Sequence, residues 1–200
     1  MSLSLRMIAV LTAIGLLSGG FLAGVGILTQ ERIEWNKKQE IEAAILKVVP
    51  GTSQNTAFHE EEELTVYEAQ DAQNSLIGYA ILASGTGFQD KITLMFGTDP
   101  SLTRIRRLVI LDQKETPGLG AKITSEEDFL RFWQNKDISQ SLVLHKPAVA
   151  SPDELAPIEV NTITGATISS EKILKIVNLS VERLKTLLDK ETNGSVDQDV

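Results

Sequence analysis

The chain has 200 residues, a net charge of −8, two histidines and no cysteine. That acidic balance argues against a nucleic-acid partner, which basic patches normally mark. The missing thiols exclude disulfides, thiol redox chemistry and thiolate-held iron–sulfur clusters. Neither His59 nor His145 has metal-ligand spacing around it, so no metal site is expected, and electrons could be carried only by an organic cofactor.

Residues 1–6 form a short start containing Arg6, and the stretch Met7–Thr29 carries no charge at all. Roughly 20 apolar or small residues at 1.5 Å rise cross the hydrocarbon core of a bilayer, whereas a secretory apolar region is usually only about 7–15 residues long. The sequence FLAGV resembles a lipoprotein cleavage box, but Val25 stands where the lipid-bearing cysteine would be. Residues 7–29 therefore read as one uncleaved transmembrane anchor. The flanking charges, Arg6 on one side and Glu31, Arg32, Glu34, Lys37 and Lys38 on the other, leave the positive-inside rule nearly silent.

From Gln30 to Val49 a helix is expected, with Ile33, Ile41, Ala44, Ile45 and Val48 approximating a stripe and Pro50–Gly51 ending it. The acidic run Glu60–Glu63 reads as a solvated loop or strand edge. Strands are expected around Leu64–Glu68, Leu76–Ala83, Ile92–Phe96 and Ile105–Leu111, punctuated by Gly85–Gly87 and Thr98–Pro100. Thr124 with Glu127 makes a capping box opening a short helix that carries Phe129, Phe132 and Trp133. Ser141–Leu144 and Ile158–Val160 read as further strands. A long amphipathic helix follows Thr167, with Ile173, Val177, Val181, Leu184 and Leu188 at helical spacing. Residues 191–200 read as a disordered polar tail. Strands grouped between helices predict an α+β fold, a mainly antiparallel sheet packed with helices over 30–190, preceded by the single transmembrane helix.

Two motifs carry the chemistry. In KETPGLGAKI, Lys114–Ile123, Pro117 fixes its own φ while Gly118 and Gly120 open backbone conformations closed to other residues, so bare amides can meet a flat ligand. In NTITGATISS, Asn161–Ser170, small residues crowd the mouth of the last helix. Taken alone, each reads as a turn or a helix cap.

Together, with the segment from Gly78 to Ile123, they resemble the FMN-binding domain of the Rnf and Nqr electron-transport complexes. The likeness runs from about Ala43 to Leu188. In length and in its single N-terminal anchor the chain most resembles the G subunits of Rnf complexes. The resemblance implies that Thr167, the last residue of a [Ser/Thr]-Gly-Ala-Thr motif here made by Thr164, Gly165, Ala166 and Thr167, carries FMN through a phosphoester, a modified phosphothreonine. It also implies that the loop Glu115, Thr116, Pro117, Gly118, Leu119 and Gly120 lies beside the flavin. Where the family commonly has an aspartate six residues before the acceptor, this chain has Asn161, which keeps the shape and removes the charge.

No histidine lies within twenty residues of Thr167, and a hydroxyl nucleophile needs an adjacent base. This agrees with the separate flavin transferase, using FAD as donor, that the resemblance implies. Lys122 reads more readily as a solvated lysine than as a partner of reduced flavin. The implied role is an electron-relaying flavoprotein component of an ion-translocating, ferredoxin–NAD type complex, with no catalytic residue of its own and with the other subunits as partners. Its place is the cytoplasmic (inner) membrane, single-pass, with the soluble domain on the periplasmic or extracellular side. The C component of an Nqr-type complex is the near alternative, and a membrane-tethered adaptor lacking flavin, favoured only by Asn161, is the distant one.

Overall fold

The computed structural model describes residues 2–194. The chain divides into two compact units, Met1–Glu42 and Ala43–Val200. Helix α1, Leu3–Val48, contributes to both. In the first unit it is the one helix among the described residues that is long and apolar enough to cross a membrane, and its most apolar 18-residue window buries nothing. Leu16, Phe21 and Leu28 are among the large apolar side chains left bare there, as expected of a surface meant for lipid rather than protein. The stripe expected on Gln30–Val49 is shorter than its spacing suggested. Ile33 is exposed, and of the five residues only Ala44, Ile45 and Val48 are buried.

The second unit is the predicted α+β fold. Six strands, β1 (Gln54–Glu60), β2 (Leu64–Gln70), β3 (Leu76–Thr86), β4 (Lys91–Thr98), β5 (Arg104–Asp112) and β6 (Lys136–Asp137), form one sheet in sequence order, with every neighbour antiparallel. Short links make this possible, and Asp side chains build them. Asp71 Oδ1 accepts from the Gln73 and Ser75 amides at 2.8 and 2.9 Å, and Asp99 Oδ1 accepts from Thr103 and Arg104, both at 2.8 Å, so each carboxylate takes the place of a backbone acceptor.

Period-two alternation sorts the sheet into two buried faces. Tyr79, Ile81 and Ala83 of β3 and Ile92, Leu94 and Phe96 of β4 share one cluster with Ile173, Val177 and Leu184, which lie on helix α2 (Thr167–Gly194). The intervening Ala80 and Met95 are also buried but outside that cluster. On their face the end of α1 packs so closely that a Cβ on Gly97 would strike the Val48 carbonyl, and one on Gly78 would lie 3.4 Å from Val49 Cγ1. On the first face Gly85 lets α2 descend onto β3, since a Cβ there would be 2.7 Å from Ile176 Cγ1. A second, parallel pair, β7 (Val143–His145) and β8 (Glu159–Asn161), feeds directly into the turn before α2.

Strand β1 was not expected. Most of its residues are exposed, so it lacks the alternation that betrays a strand. The capping box at Thr124 does not form. Thr124 ends a 3-10 turn, Gly120–Thr124, and its hydroxyl donates back to the Ala121 carbonyl at 2.9 Å. Ser125, one residue on, accepts from the Asp128 amide instead. The expected short helix is a second 3-10 turn, Leu130–Trp133, whose Trp133 ring meets Phe129 edge-on at 5.6 Å. Of the polar tail expected at 191–200, α2 includes residues through Gly194, and the remainder lies outside the described residues.

Candidate functional site

Three segments distant in sequence meet at the start of α2. The turn after β3 brings Phe88, the loop after β5 brings Glu115, Thr116, Leu119 and Gly120, and the turn after β8 brings Gly165, Ala166, Thr167, Ile168 and Ser169. Between them is a cavity of about 330 Å³, at the small end of the ~300–1,000 Å³ usual for cofactor clefts. Both motifs picked out from the sequence therefore line one site. Thr164, Pro117 and Gly118 do not line it. Phe88, Ile168 and Ser169 do line it and were not singled out.

Glu115 ties the segments together. It is 4% exposed. Its Oε1 accepts from the Phe88 amide at 2.7 Å and the Gln89 amide at 3.2 Å, and its Oε2 accepts from the Ser169 hydroxyl at 2.7 Å. The strap is doubled by Gln89 Nε2, which donates to the Thr116 hydroxyl at 2.8 Å, and by Lys114, which pairs with Asp90 at 3.0 Å. The Lys91 amide and then Lys114 hold the Asp90 carboxyl below its ordinary range. Gly120 is small because it must be. A Cβ there would lie 2.6 Å from Glu115 Oε2 and 2.9 Å from the Ser169 hydroxyl. Gly118 has a different reason, a φ of +75° with open space around the missing side chain, and Gly165 turns the chain into α2 at φ +83°.

The helix mouth departs from the capping reading. α2 begins at Thr167, so the cap position belongs to Ala166, which has no oxygen to offer the orphan amides where Ser, Thr, Asp or Asn usually stands. The nearby hydroxyls are directed elsewhere. Ser169 donates to Glu115, while Ser170 accepts from the Ile163 amide at 3.1 Å and donates to the Ala166 carbonyl at 3.2 Å. Among the described residues, the amides of Thr167, Ile168 and Ser169 have no acceptor, and the hydroxyls of Thr164 and Thr167 have no partner. A long helix opening onto a cavity with bare amides attracts an anion. Phe88, Leu119 and Ile168 stand around that cavity with 59%, 49% and 49% of their surfaces exposed, an apolar rim suited to a flat ring. Residues and shape fit a phosphate-bearing flavin.

Asn161 has a structural task. It is 2% exposed, its Nδ2 donates to the Val149 carbonyl at 2.9 Å, and its Oδ1 accepts from the Val149 amide at 3.0 Å. This two-way pairing needs one donor and one acceptor, which an amide has and a carboxylate lacks. We expect Asn161→Asp to lower the unfolding free energy by about 1–3 kcal/mol, through one lost bond and a carboxylate facing a carbonyl. Denaturant titration measures this, and equal stability of the two proteins would show that the pairing carries no weight.

The FMN-binding domain family matches residues 87–182, the span from the Gly87 turn through most of α2. The G component of the ion-translocating oxidoreductase complex of Methanosarcina acetivorans is 28% identical over 116 residues, 58% of this chain and 56% of that one. The G component of the Na(+)-translocating ferredoxin:NAD(+) oxidoreductase complex of Acetobacterium woodii is 24% identical over 152 residues, 76% of this chain and 70% of that one. The match thus spans little more than half the length of the Methanosarcina relative. The crystal structure of Shewanella oneidensis NqrC superposes with a TM-score of 0.53 at 18% identity, covering 68% of this chain and 66% of NqrC. At that identity the likeness is one of fold.

Proposed function

We propose that the chain, whose residues 87–182 match the FMN-binding domain family, is a membrane-anchored flavoprotein component of an Rnf-type ion-translocating complex. Its FMN is joined to Thr167 by a phosphoester, residues 7–29 anchor it, and the domain after them lies outside the cytoplasm. The observation that carries this reading is the alanine-capped mouth of α2, open amides and free Thr167 hydroxyl included, set in the cavity that the Glu115–Gly120 loop completes.

Bound there, FMN supplies stepwise electron exchange, and the protein supplies place and polarity. The amides of Thr167, Ile168 and Ser169 hold the phosphate charge, an interaction of about 0.3–1 kcal/mol at an exposed helix start. Phe88, Leu119 and Ile168 would take the apolar ring. Gly165 and Ala166 keep bulk away from the Thr167 hydroxyl. Among the described residues that hydroxyl has no base beside it, because Glu115 is the one titratable side chain of theirs lining the cavity and both its oxygens are already hydrogen-bonded. Attachment therefore needs a separate transferase. The Thr167 Oγ–phosphorus bond forms, the bond joining the FMN phosphate to AMP in FAD breaks, AMP leaves, and the hydroxyl proton passes to the transferase. The adaptor reading loses its support, since Asn161 is accounted for by its pairing with Val149.

Wild-type chain co-expressed with a flavin transferase should give an ultraviolet-fluorescent band in a denaturing gel, with an intact-mass increment of one FMN residue. A dark band from folded protein with active transferase present would sink the flavoprotein reading.

A further inference from the structure

We propose that Glu115 is a built-in negative charge that holds the reduction potential of the bound flavin low. The inference rests on the flavin reading above and concerns this chain's own wall of that site. Glu115 lines the cavity yet is almost wholly buried. Its carboxylate is fixed from both ends, by the Phe88 and Gln89 amides on one oxygen and by the Ser169 hydroxyl on the other. No cation neutralises it. Among the described residues no basic group lies within ion-pair distance of Glu115, and its chain neighbour Lys114 is engaged by Asp90. Among the described residues no basic side chain lines the cavity.

Adding an electron to a flavin in this cavity adds negative charge beside a carboxylate that cannot swing away. In a partly desolvated site such a pair repels more strongly than in water. Reduction is therefore disfavoured, and the flavin is a stronger donor once reduced. The three hydrogen bonds temper the charge without cancelling it. If the glutamate were only a brace, a neutral group of the same shape would serve equally well. Gln can reproduce the contacts, its carbonyl accepting from the Phe88 and Gln89 amides and its Nε2 donating to the Ser169 hydroxyl. Charge and geometry can therefore be tested apart.

The experiment is a dye-equilibrated reductive titration of the purified full-length chain carrying FMN, comparing wild type with Glu115→Gln and Ser169→Ala. Glu115→Gln should favour one-electron reduction about tenfold, which is about 59 mV upward for a one-electron couple. Ser169→Ala removes a donor from the carboxylate and leaves its charge less tempered, so reduction should become about threefold less favourable. Opposite signs are the signature, because a loosened pocket would move both variants the same way. An unchanged potential in FMN-bearing Glu115→Gln, or shifts of one sign in the two variants, would overturn the assignment of Glu115. Should Glu115→Gln fail to fold, Ser169→Ala decides by its own direction. A wild type without flavin is a different failure, that of the flavin reading itself, and the denaturing gel detects it before any titration.

Discussion

Thr167→Val should abolish covalent labelling outright while leaving the fold almost untouched. The substitution replaces a hydroxyl by a methyl at nearly constant shape, and the Thr167 hydroxyl has no partner among the described residues. Surface changes of that kind usually move stability by no more than about 0.5 kcal/mol. A true helix cap would behave differently, since its loss costs about 0.5–2 kcal/mol. Because Ala166, not Thr167, occupies the cap position, loss of label and loss of stability separate cleanly here. Thr167→Ser keeps a hydroxyl and should keep at least some FMN. Thr164→Val alters an exposed side chain outside the cavity and should still be labelled. Gel fluorescence, intact mass and thermal unfolding of the same samples make the measurement. Fluorescence that survives in Thr167→Val would assign the acceptor elsewhere.

Gly120→Ala should damage the site with a single methyl. The new Cβ would sit 2.6 Å from Glu115 Oε2, 2.9 Å from Glu115 Cβ and 2.9 Å from the Ser169 hydroxyl, so something must shift to admit it. Either the Glu115–Ser169 bond opens or the loop withdraws from α2, and overpacking of this order costs about 1–3 kcal/mol. The visible spectrum of the bound flavin should shift in the same variant. Gly118 tells the opposite story. Two residues away, its missing side chain faces open space, so a residue there meets backbone strain at φ +75° of about 1–2 kcal/mol and no clash with the rest of the protein. The sequence pattern points equally to both glycines, and only the register of the loop against α2 separates them. An unshifted melting temperature and spectrum in Gly120→Ala would show that the loop is not held against the helix.

Much of the fold was legible because burial writes a period into the chain. Strands β2 to β5 fall where alternation placed them, and α2 begins at Thr167, where the helix was expected to open. Strand β1 escaped because its side chains are mostly exposed and impose no pattern. Ile33 joined a stripe by spacing alone, and spacing does not reveal whether a partner is present. At the site, the motifs named the loop and the turn but not the link between them. Ser169 looks like one more serine in a polar run until Glu115, fifty-four positions earlier, is seen to bond it. Asn161 shows the same limit, since its reason lies in Val149, twelve positions earlier. Long-range partners of single polar side chains leave no local signature.

The sheet's strand order has a consequence in time. Strands β1 to β5 pair each with the next, so their contacts are local and can close early, as low sequence separation allows. The cavity works the other way. Its walls come from Phe88, from the loop at Glu115 and from the first turn of α2, and α2 is the last helix among the described residues. Half a sheet can exist during synthesis, but half of this pocket cannot. Thr167 enters a shaped site only when the final helix has settled onto β3 at Gly85, so completion of the fold and completion of the pocket are a single event.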